Sequence, residues 1–257
     1  LFHFWKDMAS KKGVKKCYGL LGRNIDYSFS RDYFSQKFKK EKLTHCTYQN
    51  FDLDSIDSVK SILEMDNISG LNVTTPYKRE IIPYLDKISE QSKKIQAVNT
   101  IQFGKNGKKI GHNTDIFGFE RSLLEITSKL PKNALILGTG GASSAVAFVL
   151  EKHKINYIYV SRNPSLNQIN YNNLTLRFLK KHKLIINASP VGTFPRINLC
   201  PEIPYDAIDE THILFDLIYN PLETLFLNEG KKRGATISNG LKMLEYQAEK
   251  SWEIWNK

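Results

Sequence analysis

Four apolar residues, Ala134-Leu135-Ile136-Leu137, run straight into Gly138-Thr139-Gly140-Gly141, and a helix-forming stretch begins at Ala142. A buried strand that enters a glycine turn and leaves it as a helix restricts the fold strongly, because it is the opening of a βαβ unit with parallel strands. Gly138 permits the tight turn. Gly140 lets the backbone approach a ligand, and the helix that follows offers unpaired amides and the positive end of its dipole to an anion. Ala145 stands where close helix–strand packing is wanted. A second apolar strand is predicted at 157–160, at about the spacing of a dinucleotide-binding unit. Gly138, Thr139, Gly140, Gly141 and Ala142 are therefore the expected cradle for a pyrophosphate.

The residues after that second strand select the cofactor. A carboxylate there would accept from a free ribose 2′-hydroxyl, as in enzymes that use NAD. The chain instead reads Ser161-Arg162-Asn163-Pro164. Arg162 is suited to a bidentate, charge-assisted contact with a 2′-phosphate, so the expected cofactor is NADP.

Further strands are predicted at 184–187, 213–218 and 235–238, and helices at 117–130, 142–152 and 241–255. The last of these carries Leu241, Leu244, Ala248, Ser251 and Trp255 about one turn apart. Before residue 115 the pattern differs. A strand is expected at 17–21, helices at 30–38 and 55–61, and a short strand at 71–73. A hairpin is expected where 101–103 and 108–111 flank Lys105-Asn106-Gly107. With 257 residues and no low-complexity linker, the chain reads as two α/β domains.

Composition narrows the function classes. Thirty-seven basic against 26 acidic residues give a net charge of +11, but the lysines fall in pairs such as Lys11-Lys12, Lys39-Lys40 and Lys180-Lys181. No long basic block interleaved with aromatics appears, so the surplus is read as a solvated surface that concentrates anionic ligands, not as a nucleic-acid platform. No apolar run has the length of a bilayer span. Three cysteines, an odd count without CxxC spacing, suggest a reduced cytoplasmic setting. The six histidines show no metal-ligand spacing, so no metal is expected. Residues 1–7 read as a tail, too short for a signal core and followed by lysines, with Met8 as a plausible start.

Four polar strings lie at or beside the predicted strand ends: Tyr27-Ser28-Phe29-Ser30, Asn72 to Lys78, Ala97-Val98-Asn99-Thr100, and Gly111 to Asp115. Loops at strand ends are where α/β enzymes place ligand-contacting groups. Lys78 and Asp115 are the charged residues to note in the last three strings. A lysine held near a carboxylate in a half-buried site serves as an acid–base group; on spacing alone a surface lysine is the competing reading.

Taken together, the strings resemble the shikimate dehydrogenase family from Tyr18 to Trp255. The resemblance runs through Tyr18-Gly19-Leu20-Leu21-Gly22 with Ser28-Phe29-Ser30, Gly70 to Lys78, Ala97 to Thr100, and Asn113 to Phe119. It continues through Asn187 to Gly192, Asp216 to Pro221, and Asn239 to Leu244 with Gln247-Ala248. It implies an N-terminal α/β substrate domain, 8–114, completed by a C-terminal helix, 240–257. It also implies an intervening Rossmann domain, 115–239, with the active site in the interdomain cleft. The implied activity is reversible NADPH-dependent reduction of 3-dehydroshikimate to shikimate by a monomer or homodimer. Ser28 and Ser30 would bind the substrate carboxylate, while Thr74, Asn99 and Gln247 would hold ring hydroxyls with Tyr219 nearby. Lys78 and Asp115 would be the acid–base pair. Gly138 to Ala142 would hold the pyrophosphate, Ser161, Arg162 and Asn163 the 2′-phosphate, and Leu217 and Gly240 the nicotinamide.

The chain departs from the family in two places. Tyr27 and Arg31 stand where His and Pro are common, and Arg31 is read as a helix-start residue. The phosphate-reading string holds Arg162 without a second cation. Three alternatives remain at this stage: a relative that oxidises quinate, with NAD or both cofactors; a cofactor-binding sensor without catalysis; and, on net charge alone, a nucleic-acid binder.

Overall fold

The computed structural model describes residues 15–26, 28–104 and 106–257. The expected tail at 1–7, Met8, Lys11-Lys12, Tyr27 and Lys105 lie outside them. The chain divides into two units. One holds the described residues up to Asn113 together with Ser251–Lys257, and the other runs from Thr114 to Lys250.

The first unit has six strands: β1 (Lys16–Gly22), β2 (Cys46–Asp52), β3 (Ile68–Val73), β4 (Lys87–Ile88), β5 (Thr100–Phe103) and β6 (Lys109–His112). Their order is β2-β1-β3-β5-β6-β4. β1 lies parallel to β2 and β3, whereas β3, β5 and β6 pair antiparallel, the last two as the expected hairpin. From Cys17 onward β1 is buried on both faces, as a central parallel strand requires. Alternation along it sends Cys17 and Leu21 into a core with Leu71, Val73, Tyr77, Ile81 and Val98.

Tyr18 points to the opposite face, where an aromatic cluster forms with helix α1 (Phe29–Lys40) and the end of the last helix, α8 (Leu241–Trp255). Phe34 stacks on Tyr48 with centroids 4.7 Å apart, and Trp255 lies 5.0 Å from Tyr18. Trp255 Nε1 donates to the Ile101 carbonyl at 3.0 Å. Gly70 makes room for this indole, since a Cβ there would come within 2.4 Å of it. Two short helices, α2 (Val59–Leu63) and α3 (Glu90–Ile95), complete the unit.

The second unit has β7 (Asn133–Leu137), β8 (Asn156–Val160), β9 (Gln168–Ile169), β10 (Leu184–Asn187), β11 (Ile213–Asp216) and β12 (Thr236–Ser238). Every pairing is parallel, in the order β9-β8-β7-β10-β11-β12. Counted within the unit this is 3-2-1-4-5-6, the doubly wound dinucleotide-binding order. The strand order reverses between β7 and β10, which opens a crevice at their carboxyl ends. Its helices are α4 (Asp115–Ile126), α5 (Ser143–Lys152), α6 (Leu176–Lys180), α7 (Leu225–Lys231) and most of α8.

Several boundaries differ from expectation. The helix predicted over 117–130 starts at Asp115 and stops at Ile126, because Thr127 is extended (φ −152°, ψ 134°) and its hydroxyl takes the Lys129 amide at 3.2 Å. The strand predicted to reach Ile218 ends at Asp216, whose carboxylate accepts the Ile218 amide at 3.0 Å and turns the chain. The helix predicted over 55–61 is a 3-10 turn, Ile56–Ser58, capped by Ser55 and followed by α2. Among the described residues no helix is long and apolar enough to cross a membrane.

Candidate active site

The glycine turn after β7 is built for two different purposes. Gly138 has φ +104°, and a Cβ on it would sit 3.0 Å from Ser189 Cβ and 3.1 Å from its amide nitrogen. Its own amide donates to the Val160 carbonyl at 2.9 Å, and Ala188 donates to Leu137 at 2.9 Å, so the ends of β7, β8 and β10 lock the turn. Gly140 meets no such crowding: the nearest atom to a Cβ there is the Ala188 carbonyl at 3.9 Å. Its carbonyl accepts from Ser143, from the amide at 3.0 Å and the hydroxyl at 2.6 Å. Thr139, Gly140 and Gly141 are exposed in front of α5. Space kept clear beside backbone at a helix start fits a pyrophosphate.

At the end of β8, Ser161 Oγ accepts the Asn163 amide at 3.3 Å, and Asn170 Nδ2 holds the Arg162 carbonyl at 2.8 Å. The Arg162 side chain is exposed and makes no ion pair with a carboxylate among the described residues. Burial raises the Tyr171 hydroxyl pKa, and the Arg162 charge opposes that rise in part.

The ends of β10 and β11 carry a buried network that sequence reasoning did not foresee as a unit. Asn187 Nδ2 donates to the Val191 carbonyl at 3.2 Å and to Asp216 Oδ1 at 3.1 Å, while its Oδ1 accepts from the Ser189 amide at 3.1 Å and hydroxyl at 2.7 Å. Asn187 thus shapes the loop beside the glycine turn. Gly240, between β12 and α8, donates to the carbonyl of Ile218, just beyond β11, at 2.9 Å, and a Cβ on it would meet the Leu217 carbonyl at 2.1 Å. The structure therefore brings Leu217 and Gly240 together. Tyr219, two residues past Leu217, is half-buried, and burial raises its pKa.

Asp115 is the first residue of α4 and is buried. The preceding residue, Thr114, donates through its hydroxyl to Gln247 Oε1 at 3.3 Å, which ties the start of α4 to α8. Gly118 allows that approach, since a Cβ on it would lie 2.4 Å from the Met243 carbonyl.

The other predicted substrate residues belong to the first unit. Val73 donates to the Asn99 carbonyl at 2.8 Å and Val98 to the Lys78 carbonyl at 2.7 Å, so the strings holding Thr74, Lys78 and Asn99 are stitched together through their backbones. Thr74 itself donates to Leu21 at the end of β1, at 2.8 Å. Lys78 is half-buried and Asn99 buried.

Ser28 occupies the N-cap of α1 but makes no side-chain cap bond, and its Oγ is buried without a hydrogen-bond partner among the described residues. Ser30, two residues on, is buried. Arg31 is exposed and reaches back to the Asp26 carbonyl at 3.2 Å, as a helix-start residue would. Thus Ser28, Ser30, Thr74, Lys78 and Asn99 fall in one unit, and Asp115, Tyr219, Gln247 and the cofactor residues in the other.

Residues 20–101 match the shikimate dehydrogenase substrate binding domain. A shikimate dehydrogenase (NADP(+)) of Methanococcus maripaludis is 39% identical over 93% of this chain and 91% of that protein. The crystal structure of a shikimate dehydrogenase in complex with NADP+ is 36% identical, covers 94% of this chain and 90% of its own, and superposes with a TM-score of 0.81. The Thermus thermophilus enzyme, solved with NADP(H) and shikimate, is 28% identical over 93% of both chains, with a TM-score of 0.83. With this fold, this glycine turn and a relative of such identity along nearly its whole length, the chain belongs to the shikimate dehydrogenase family.

Proposed function

We propose that this protein catalyses the reversible NADP-dependent reduction of 3-dehydroshikimate to shikimate, a step toward chorismate and the aromatic amino acids. The observation that carries the substrate is Ser28. A buried hydroxyl that satisfies neither the helix it caps nor any other group among the described residues is a donor kept for a ligand, because an unmet buried donor costs about 1–3 kcal/mol. At the start of α1 that ligand is favoured to be an anion, here the substrate carboxylate, shared with Ser30.

NADPH supplies the hydride, and NADP⁺ takes it up in the reverse direction. The chain's own groups do the rest. Gly138, Thr139, Gly140, Gly141 and Ala142 hold the pyrophosphate, Ser161, Arg162 and Asn163 the 2′-phosphate, and Leu217 and Gly240 the nicotinamide. Thr74, Asn99 and Gln247 bind ring hydroxyls, with Tyr219 beside them. Neutral donors and acceptors of this kind discriminate steeply against a ring lacking a hydroxyl. Lys78, as the ammonium, stabilises the charge growing on the ketone oxygen and protonates it; as the amine it takes the hydroxyl proton back. Asp115 accepts from a neighbouring hydroxyl and orients Lys78. Cys17, Cys46 and Cys200 are free thiols, which suits a reducing, cytoplasmic setting.

The test is nicotinamide absorbance with shikimate or quinate, each paired with NADP⁺ or NAD⁺. Turnover with shikimate and NADP⁺ well above the other three pairs is the expected result. Comparable rates with quinate or NAD⁺ would instead assign the broader quinate-oxidising activity. Cofactor binding without turnover in any pair would leave a sensor.

A further inference from the structure

The face of the first unit's sheet that carries α1 contains a chain of buried polar side chains that the substrate assignment does not use. Tyr48 in β2 is buried, and its hydroxyl donates to Asn72 Oδ1 in β3 at 2.9 Å. The direction of that bond is fixed. Asn72 Nδ2 faces three acceptors, the Asn99 carbonyl at 3.2 Å, Thr100 Oγ1 at 3.2 Å and Ser251 Oγ at 2.9 Å. The amide oxygen must then face Tyr48, and the single phenolic proton is committed to it.

Burial holds the phenol firmly protonated, so the proton stays available to Asn72. At the other end Thr100 Oγ1 donates to Asn99 Oδ1 at 3.0 Å, which makes Nδ2 the donor end of the Asn99 amide. Tyr48 and Asn99 are therefore the two ends of one relay, Tyr48–Asn72–Thr100–Asn99, lying within a single unit.

We propose that Tyr48 is a positioning residue of the substrate site. Through Asn72 and Thr100 it sets the orientation of the Asn99 amide, so that this group is ordered before substrate arrives. The proposal rests on the assignment of Asn99 to substrate. Preorganisation lowers the ordering cost of binding, so its loss is read in substrate KM. Lys78 is not a member of the relay, so the proton step is left largely as it was.

Tyr48→Phe removes only the hydroxyl and keeps the ring that stacks on Phe34. The expected result is a KM for shikimate raised about 10-fold, the equivalent of one lost hydrogen bond, with kcat and the KM for NADP⁺ little changed. Asn99→Ala is expected to raise the same KM. The double variant is expected to fall short of the product of the two, because Tyr48 acts through the Asn99 amide.

An unchanged KM in Tyr48→Phe beside a raised KM in Asn99→Ala overturns the proposal and spares the assignment of Asn99. Strictly multiplicative effects overturn it as well. An unchanged KM in Asn99→Ala removes the assignment itself, and the proposal with it. If Tyr48→Phe does not fold, Thr100→Val cuts the same relay nearer to Asn99. The same split between KM and kcat is then expected, and an unchanged KM counts against the relay.

Discussion

The Thr224 hydroxyl donates to the Asp216 carboxylate at 2.6 Å in the interior of the second unit. Asp216 also accepts from Asn187 Nδ2 at 3.1 Å and the Ile218 amide at 3.0 Å, and none of these donors carries charge. Burial therefore outweighs the hydrogen bonds and pushes the Asp216 pKa up to about 6.

A folded pKa above the unfolded value of about 3.9 means that the native state holds the proton more tightly. The stabilisation is fully present below pH ~4 and is lost as the pH rises through about 6. The loss amounts to about 2–3 kcal/mol, at about 1.4 kcal/mol for each pH unit of the shift. In Asp216→Asn the amide oxygen can keep the Ile218 and Asn187 bonds while Nδ2 donates to Thr224 Oγ. Denaturant unfolding at pH 4, 5, 6 and 7 is expected to show a steeper fall for the parent than for the variant. Equal slopes would show that Asp216 does not titrate in this window.

Gly138 and Gly140 separate a folding requirement from a binding requirement two residues apart. At Gly138 an alanine would combine φ +104° with the Ser189 backbone 3.1 Å away. Gly138→Ala is expected to cost about 1–3 kcal/mol and so to lower Tm by several degrees. At Gly140 a methyl meets nothing closer than 3.9 Å, so Gly140→Ala is expected to leave Tm unchanged. It fills the space proposed for the approach of phosphate to the backbone, so the KM for NADP⁺ is expected to rise about 10-fold or more. A Gly140→Ala variant with normal cofactor affinity would argue against that role for the loop.

Those features were legible because each is local. The strand, glycine turn and helix occupy neighbouring residues, as do Thr74 to Lys78 and Asn113 to Asp115, and a string survives translation into structure intact. β2 was not legible: Cys-Thr-Tyr-Gln-Asn-Phe-Asp mixes polar and apolar residues, and its placement comes from parallel pairing with β1. Tyr48 carries no signal in such a strand, since its partner Asn72 is 24 positions away. Helices of five to seven residues, such as α2, α3, α6 and α7, are too short to show a period and are held by tertiary packing. Asp216 appeared in the sequence only as the first letter of a string. Its buried carboxylate is a product of the turn at Ile218 and the cap at Thr224.

Arg162 makes the choice of cofactor testable without disturbing the fold. Its side chain is exposed, and the segment is held by the Arg162 carbonyl and Ser161 Oγ, neither of which depends on the guanidinium. A charge-assisted pair with a 2′-phosphate is worth about 1.5–3 kcal/mol, so Arg162→Ala is expected to raise the KM for NADP⁺ about 10- to 100-fold. The KM for NAD⁺, which has no 2′-phosphate, is expected to change little. Parallel losses for both cofactors would show that Arg162 acts on something they share.

Lys78 is the residue on which turnover should depend most. Its backbone is fixed by the Val98 amide at 2.7 Å, a bond that any side chain at this position retains. The side chain is half-buried and outside the apolar core around Leu71 and Tyr77, so Lys78→Ala is expected to fold normally. Without the ammonium, the ketone oxygen has no proton donor at that position, and in the reverse direction the hydroxyl has no base. Removing a general acid–base group of this kind costs about 100-fold or more in kcat. NADP⁺ affinity, which the proposed assignment gives to residues of the other unit, should stay within about twofold, a free-energy change below about 0.5 kcal/mol. Steady-state rates with shikimate, together with NADP⁺ titration of the variant, measure both. Near-normal kcat would remove Lys78 from the proton step, and a matching loss of cofactor affinity would point to a role in binding.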